Sequence, residues 1–198
     1  MPGDVNAELN GLLEHKNAGM RRTSLQCLIE REPKNLHGLL VQSLSDSSAM
    51  VRKEAIAGMM EFGTQDDFPT LLDIMLAADA AGVRNSAQQA VQVIGAKVPV
   101  YTRDKPFAKE LPTASAANQV KLIELMHHFG GVYSFKAVKM ELDSKNDRVQ
   151  KAALKAMMNW PDGAPLETLK TMAQKAEKDE KRRKALRGFL RSIRLSTN

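Results

Sequence analysis

Apolar residues recur along this chain at spacings of three and four, and the pattern as a whole returns about every 32 residues. The stretch Met20-Arg21-Arg22-Thr23-Ser24-Leu25-Gln26-Cys27-Leu28-Ile29-Glu30 has the same profile as Val51-Arg52-Lys53-Glu54-Ala55-Ile56-Ala57-Gly58-Met59-Met60-Glu61. The profile returns from Val83, Asn118, Val149 and Arg182. Eight positions past each start stand Leu28, Met59, Val91, Met126, Met157 and Leu190, all apolar. Four past the start the residue is small in four of six cases, which lets a neighbouring helix approach closely. Eleven past the start come Arg31, Phe62, Ile94, Phe129, Trp160 and Ile193. These columns predict helices near 20–31, 51–62, 83–94, 116–129, 148–160 and 180–194.

A second set of amphipathic stripes lies between them. They are Leu36/Leu39/Leu40/Leu44, Phe68/Leu71/Leu72/Met75, Val132/Phe135/Val138/Leu142 and Leu166/Leu169/Met172/Ala176. Turn residues separate the two sets: Glu32-Pro33, Gly63-Thr64, Gly130-Gly131 and Pro161-Asp162-Gly163. No stretch alternates with period two, so no strand is expected. Residues 95–112 form the irregular connector, with an extended Val98-Pro99-Val100 and a short helix carrying Pro106. The expected fold is all-α, a right-handed α-solenoid of about six helix pairs, with residues 1–198 forming one domain.

Asp46 ahead of Val51-Arg52 and Asp79 ahead of Val83-Arg84 resemble the HEAT-repeat habit of placing an acid before the Val-Arg that opens a first helix. Val149-Gln150 and Arg182-Arg183 depart from that signature. The run from Val149 to Asp162, and Ala185-Leu186-Arg187-Gly188-Phe189-Leu190-Arg191, are similar to bacterial HEAT-type domains. Such domains occur in large exported proteins of planctomycete- and Bacteroidota-like bacteria, beside carbohydrate-active or haem-binding modules. The resemblance implies a binding module within a larger protein, and fold alone does not name an activity. In HEAT-type arrays the polar column Arg21, Arg52, Arg84 and Arg183 is expected to pair with acids of the adjacent repeat rather than to form an anion-binding stripe.

Composition adds little except at one end. Aromatics are 5% of the chain and there are 11 methionines, which suits stacked helices better than a sandwich. The single Cys27 excludes an internal disulfide and a cysteine-rich zinc site. The opening Met1-Pro2-Gly3-Asp4-Val5-Asn6 has no basic start and no apolar core, unlike a secretory signal, and no apolar run reaches membrane-spanning length. The address stays open, cytoplasmic or exported as part of a larger chain. The net charge of +6 is concentrated after Pro165, where ten Lys/Arg face four Asp/Glu. Within it, Lys184, Arg187, Arg191 and Arg194 make one helical stripe, the candidate anion- or partner-binding surface. The apolar Leu186, Phe189, Leu190 and Ile193 are expected to pack on the preceding repeat, making this helix a terminal cap.

No catalytic constellation emerges. His127 and His128 follow Glu124, but a metal site needs three or four ligands and no cysteine is near. The column places Trp160 as an inter-helix plug, and Asp162 suits a cap for the helix that follows. No phosphate loop or nucleophile elbow is present. No cofactor, metal or catalytic residue is therefore expected. The reading is a non-catalytic protein-interaction scaffold or accessory module, with a protein or a neighbouring domain as partner. Its rival is a nucleic-acid-binding module, of the DNA-glycosylase kind among others, that uses the basic C-terminal end. One Trp and two Tyr are sparse for stacking bases along a groove.

Overall fold

A computed structural model describes residues 4–176 and 179–196, so Met1 to Gly3 of the opening segment lie outside the described residues. Among the described residues there is no strand. The chain divides into two compact units, Met1–Val98 and Pro99–Asn198, and the division falls inside the connector at 95–112.

The first unit holds α1 (Val5–Leu12), α2 (Ala18–Arg31), α3 (Leu36–Ser43), α4 (Ala49–Phe62), α5 (Phe68–Ala77) and α6 (Ala81–Lys97). The 14-residue α2 and α4 alternate with the shorter α3 and α5, and each long helix packs on the next. Local chemistry sets the ends. The Asn17 side chain accepts the N–H groups of Gly19 and Met20 to open α2. Glu32, left-handed at φ 48°, closes it, and Pro33 bars continuation. Gly58 marks a close approach: a Cβ there would lie 2.5 Å from Cδ2 of Leu40 on α3 and 3.0 Å from Cδ1 of Ile29 on the preceding long helix.

The second unit holds α7 (Val100–Glu110), α8 (Ala116–Phe129), α9 (Val132–Met140), α10 (Asp147–Met158), α11 (Leu166–Lys175) and α12 (Asp179–Ser196). Here α8, α10 and α12 are the long helices in succession. The short helix expected around Pro106 is α7, with the proline inside it.

The core columns hold through five repeats. Leu28, Met59, Val91, Met126 and Met157 are fully buried, as are Ala55, Ala87, Leu122 and Ala153. The polar column is structural, but its partners are mostly carbonyls rather than acids. Arg52 donates to Asp46 O at 2.7 Å, and Arg84 donates to Ala78 O. Gln119 donates to Leu111 O at 3.1 Å and Gln150 to Leu142 O at 2.9 Å. Each ties a long helix to the connection in front of it, where backbone carbonyls would otherwise go unpaired. Among the described residues of this column, only Arg21 also grips an acid of the next repeat, donating from Nε and Nη2 to the two Asp46 oxygens at 2.7 Å. Those hydrogen bonds, with one from Ser48 N–H, hold the Asp46 carboxyl below the usual carboxylate range against the effect of its burial.

The sixth repeat departs from the expected register by one residue. Arg182, not Arg183, donates to the connection in front of it, reaching Ala176 O at 2.9 Å. Ala185, Gly188 and Ser192 form the buried side of α12, seated on α10 and α11. A Cβ on Gly188 would lie 3.0 Å from Met158 Cα, the contact that Gly58 makes with Ile29. Counted from Lys181, whose side chain is not described, the small and buried positions fall into line with those of α10. Of the expected packing row Phe189 is half-buried, while Leu186, Leu190 and Ile193 lie off the buried side of α12. They are exposed, Leu186 by 43% and Leu190 by 56%. The expectation of a cap with an apolar inner side fails because small residues, not leucines, make the close approach. Val132 likewise leaves its expected stripe and is exposed, whereas Val138 and Leu142 of that stripe are buried.

Candidate functional site

At about 100° per residue, α12 carries three longitudinal bands. The small buried band holds Gly188, Ser192 and Ala185. Next comes the exposed apolar row Leu186, Leu190 and Ile193, and beyond it the basic row Lys184, Arg187, Arg191 and Arg194. All four members of the basic row are exposed. The Lys184 ammonium bonds to Glu180 Oε1 at 2.6 Å, which holds that carboxyl below its ordinary range. Arg191 Nη1 reaches Asn159 Oδ1 at 3.4 Å.

The apolar row has counterparts. One position past the small column stand Leu25, Ile56 and Ile123, fully buried, and Gln88 and Leu154, half-buried. In line with Leu190 stand the apolar Ile29, Met60 and Met158 and the polar Gln92 and His127, all half-buried. Ile29 and Met158 are covered by the next long helix at Gly58 and Gly188. Leu190 therefore belongs to the column on which α2 and α10 receive their successors, with Leu186 one turn before it on the same exposed side.

A second arrangement escaped the sequence reading. Asp104 of α7, only 3% exposed, accepts the N–H of Tyr133 at 2.8 Å and of Ser134 at 2.5 Å. It thus caps α9 from a neighbouring helix. Gly131 stands at φ 109°, and a Cβ there would lie 2.5 Å from the Asp104 carboxyl carbon. The neighbouring Arg103 lies 4.4 Å above the Phe129 ring, its guanidinium pulled below its ordinary pKa by burial. On the outer side of this joint Lys105 sits 5.4 Å from the Tyr133 ring centroid.

The other candidates fall into structural places. His127 is half-buried with no partner at Nδ1 and a pKa lowered mainly by burial; His128 packs edge-on to Phe129 with ring centroids 5.1 Å apart. Among the described residues no group of three His, Cys, Asp or Glu is placed to hold a metal. Trp160 is 1% exposed and meets Phe135 edge-on at 5.8 Å, as a plug should. Asp162 closes the turn at Ala164 N–H (2.8 Å) rather than capping α11, which starts two residues later. The remaining acid–histidine pair, Asp67 with His37 at 2.9 Å, links α3 to the turn before α5. Burial alone would raise the Asp67 carboxyl, but hydrogen bonds from His37 and Thr64 hold it below its ordinary value.

Long and short helices in alternation, glycine-spaced stacking and the Arg-to-carbonyl ties describe one kind of repeat. A family model for HEAT repeats matches residues 6–92. Over that stretch the chain carries HEAT repeats. HEAT repeats generally serve as scaffolds for protein interaction and are typically non-catalytic. No curated protein matches the chain. Among solved structures, an engineered protein is similar over 98% of each chain at 16% identity, with a TM-score of 0.49. Among the described residues no helix is long and apolar enough to cross a membrane.

Proposed function

We propose that this chain is a non-catalytic protein-interaction scaffold, and that α12 is one of its contact surfaces. The partner is a protein or a neighbouring domain of the same polypeptide, presenting a helix with acidic flanks. The observation that carries this reading is the exposure of Leu190, with Leu186 beside it, in the column that α2 and α10 cover with their successors. Apolar rows of this kind mark interaction sites more often than they stand idle. The adjoining Lys184, Arg187, Arg191 and Arg194 give the partner its charge preference, through complementary potentials across the contact.

The experiment is a fluorescence anisotropy titration at about 150 mM salt. One probe is a labelled helical peptide with leucines at i, i+4 and i+7 between glutamate flanks; the other is a labelled duplex DNA. The peptide should bind, and Leu186→Glu/Leu190→Glu should weaken it at least about tenfold, or 1.4 kcal/mol. Duplex DNA should bind only non-specifically, at about 10⁻⁴ M or weaker. Sub-micromolar DNA affinity that vanishes when Lys184, Arg187, Arg191 and Arg194 are reversed to Glu would replace the scaffold with the nucleic-acid reading.

A further inference from the structure

Both tyrosines of the chain stand on the second unit's short helices, Tyr101 on α7 and Tyr133 on α9. Tyr101 is 74% exposed, and the aliphatic Val132 and Met140 of α9 are exposed by 65% and 77%. Lysines interleave with them: Lys105 and Lys109 on α7, Lys136 and Lys139 on α9, all exposed. Helical spacing puts Tyr101, Lys105 and Lys109 in one row and Val132, Lys136 and Met140 in another. The two helices pack together, and the Lys105–Tyr133 contact bridges the rows. A charge-balanced cleft of about 450 Å³, lined by Lys139 and Lys175 with Asp143 and Glu167, separates this surface from α11, so its basic character comes from the α7 and α9 lysines themselves. By contrast, the short helices of the first unit carry no lysine or arginine at all: α3 reads LHGLLVQS and α5 FPTLLDIMLA. The base beneath Tyr133 is stiff, because Asp104 caps α9 directly under it and Gly131 leaves no slack.

We propose that this α7–α9 face docks an extended acidic polypeptide segment, one in which Asp and Glu alternate with large apolar side chains. The proposal rests on the scaffold reading and names the chemistry of a second contact. Tyr101, Val132 and Met140 offer apolar footholds, Tyr and Met being residues enriched at protein interfaces. The lysines supply the complementary charge. A nucleic-acid strand fits less well. Glu110, Glu141 and Asp143 interrupt the lysines near the helix ends, and would repel an unbroken phosphate chain, whereas a peptide places its charges discretely. Two rings on adjacent helices also make a short platform for stacked bases.

The test uses the full chain and a fluorescein-labelled peptide of four Asp-Glu-Leu-Glu-Phe repeats, against labelled oligo-dT of the same length. The peptide should bind more tightly than oligo-dT. Lys105→Glu/Lys136→Glu should weaken peptide binding at least about tenfold and Tyr101→Ala about threefold. The Leu186→Glu/Leu190→Glu variant should leave it unchanged. Thermal melts followed by circular dichroism confirm that each variant folds, as expected for exposed substitutions. Peptide affinity that survives the lysine reversal, or that is lost with the α12 variant instead, overturns this face while leaving the scaffold standing. Tighter binding of oligo-dT with the same residue dependence overturns it in favour of a single-strand surface.

Discussion

Met59→Ala and Met157→Ala should each destabilise the protein by about 2–5 kcal/mol, as truncation of a fully buried side chain does. Both methionines have no accessible surface. Each stands in the column eight past a helix start, where a long helix meets its neighbours, so the lost volume leaves a cavity that backbone cannot fill. Lys53→Ala and Lys155→Ala lie on the exposed sides of the same two helices, α4 and α10, and should cost within about 0.5 kcal/mol. Urea melts decide it through the midpoint at constant slope. Equal stability of the methionine and lysine variants would refute the repeat register.

Asp104→Ala should be nearly as damaging. It strands the buried N–H of Ser134, an unsatisfied donor worth about 1–3 kcal/mol, and leaves the part-buried N–H of Tyr133 to solvent at a smaller cost, for a loss of about 1–4 kcal/mol. Gly131→Ala should cost about 1–3 kcal/mol from backbone strain alone, since φ 109° with ψ 152° is a conformation essentially confined to glycine. Its methyl would also collide with the Asp104 carboxylate. The double variant removes that collision, so its loss should fall short of the sum of the two singles, as expected for groups in contact. Strict additivity in the same melts would show that carboxylate and glycine do not meet.

The first five long helices are readable from sequence because their cores use large apolar residues at a constant offset, and the structure keeps those columns. The sixth misleads for a physical reason. Close packing of α12 uses Ala185, Gly188 and Ser192, residues that carry no hydrophobic signal, while the conspicuous Leu186, Leu190 and Ile193 stand outside. Two adjacent arginines, Arg182 and Arg183, satisfy the polar column equally well as letters, and only the bond to Ala176 O separates them. The α7–α9 face stayed hidden because Pro106 inside α7 reads as a break, and because the charge balance before residue 165 is neutral as a whole. That neutrality averages lysines gathered on α7 and α9 with acids placed elsewhere. Asp104 gave no cue either, since a cap donated by a different helix leaves no local spacing to read.

The reading of α12 as an open stacking face that a partner helix covers can be tested by thiol labelling. In a Cys27→Ser background, Leu190→Cys and Met157→Cys each present one thiol to Ellman's reagent. The thiol at position 190 should react nearly as fast as a free one, and the acidic helical peptide should slow it. The thiol at position 157 should be protected roughly a thousandfold or more, reacting only through unfolding. Similar protection at the two positions, or a peptide that binds without slowing position 190, would contradict the account.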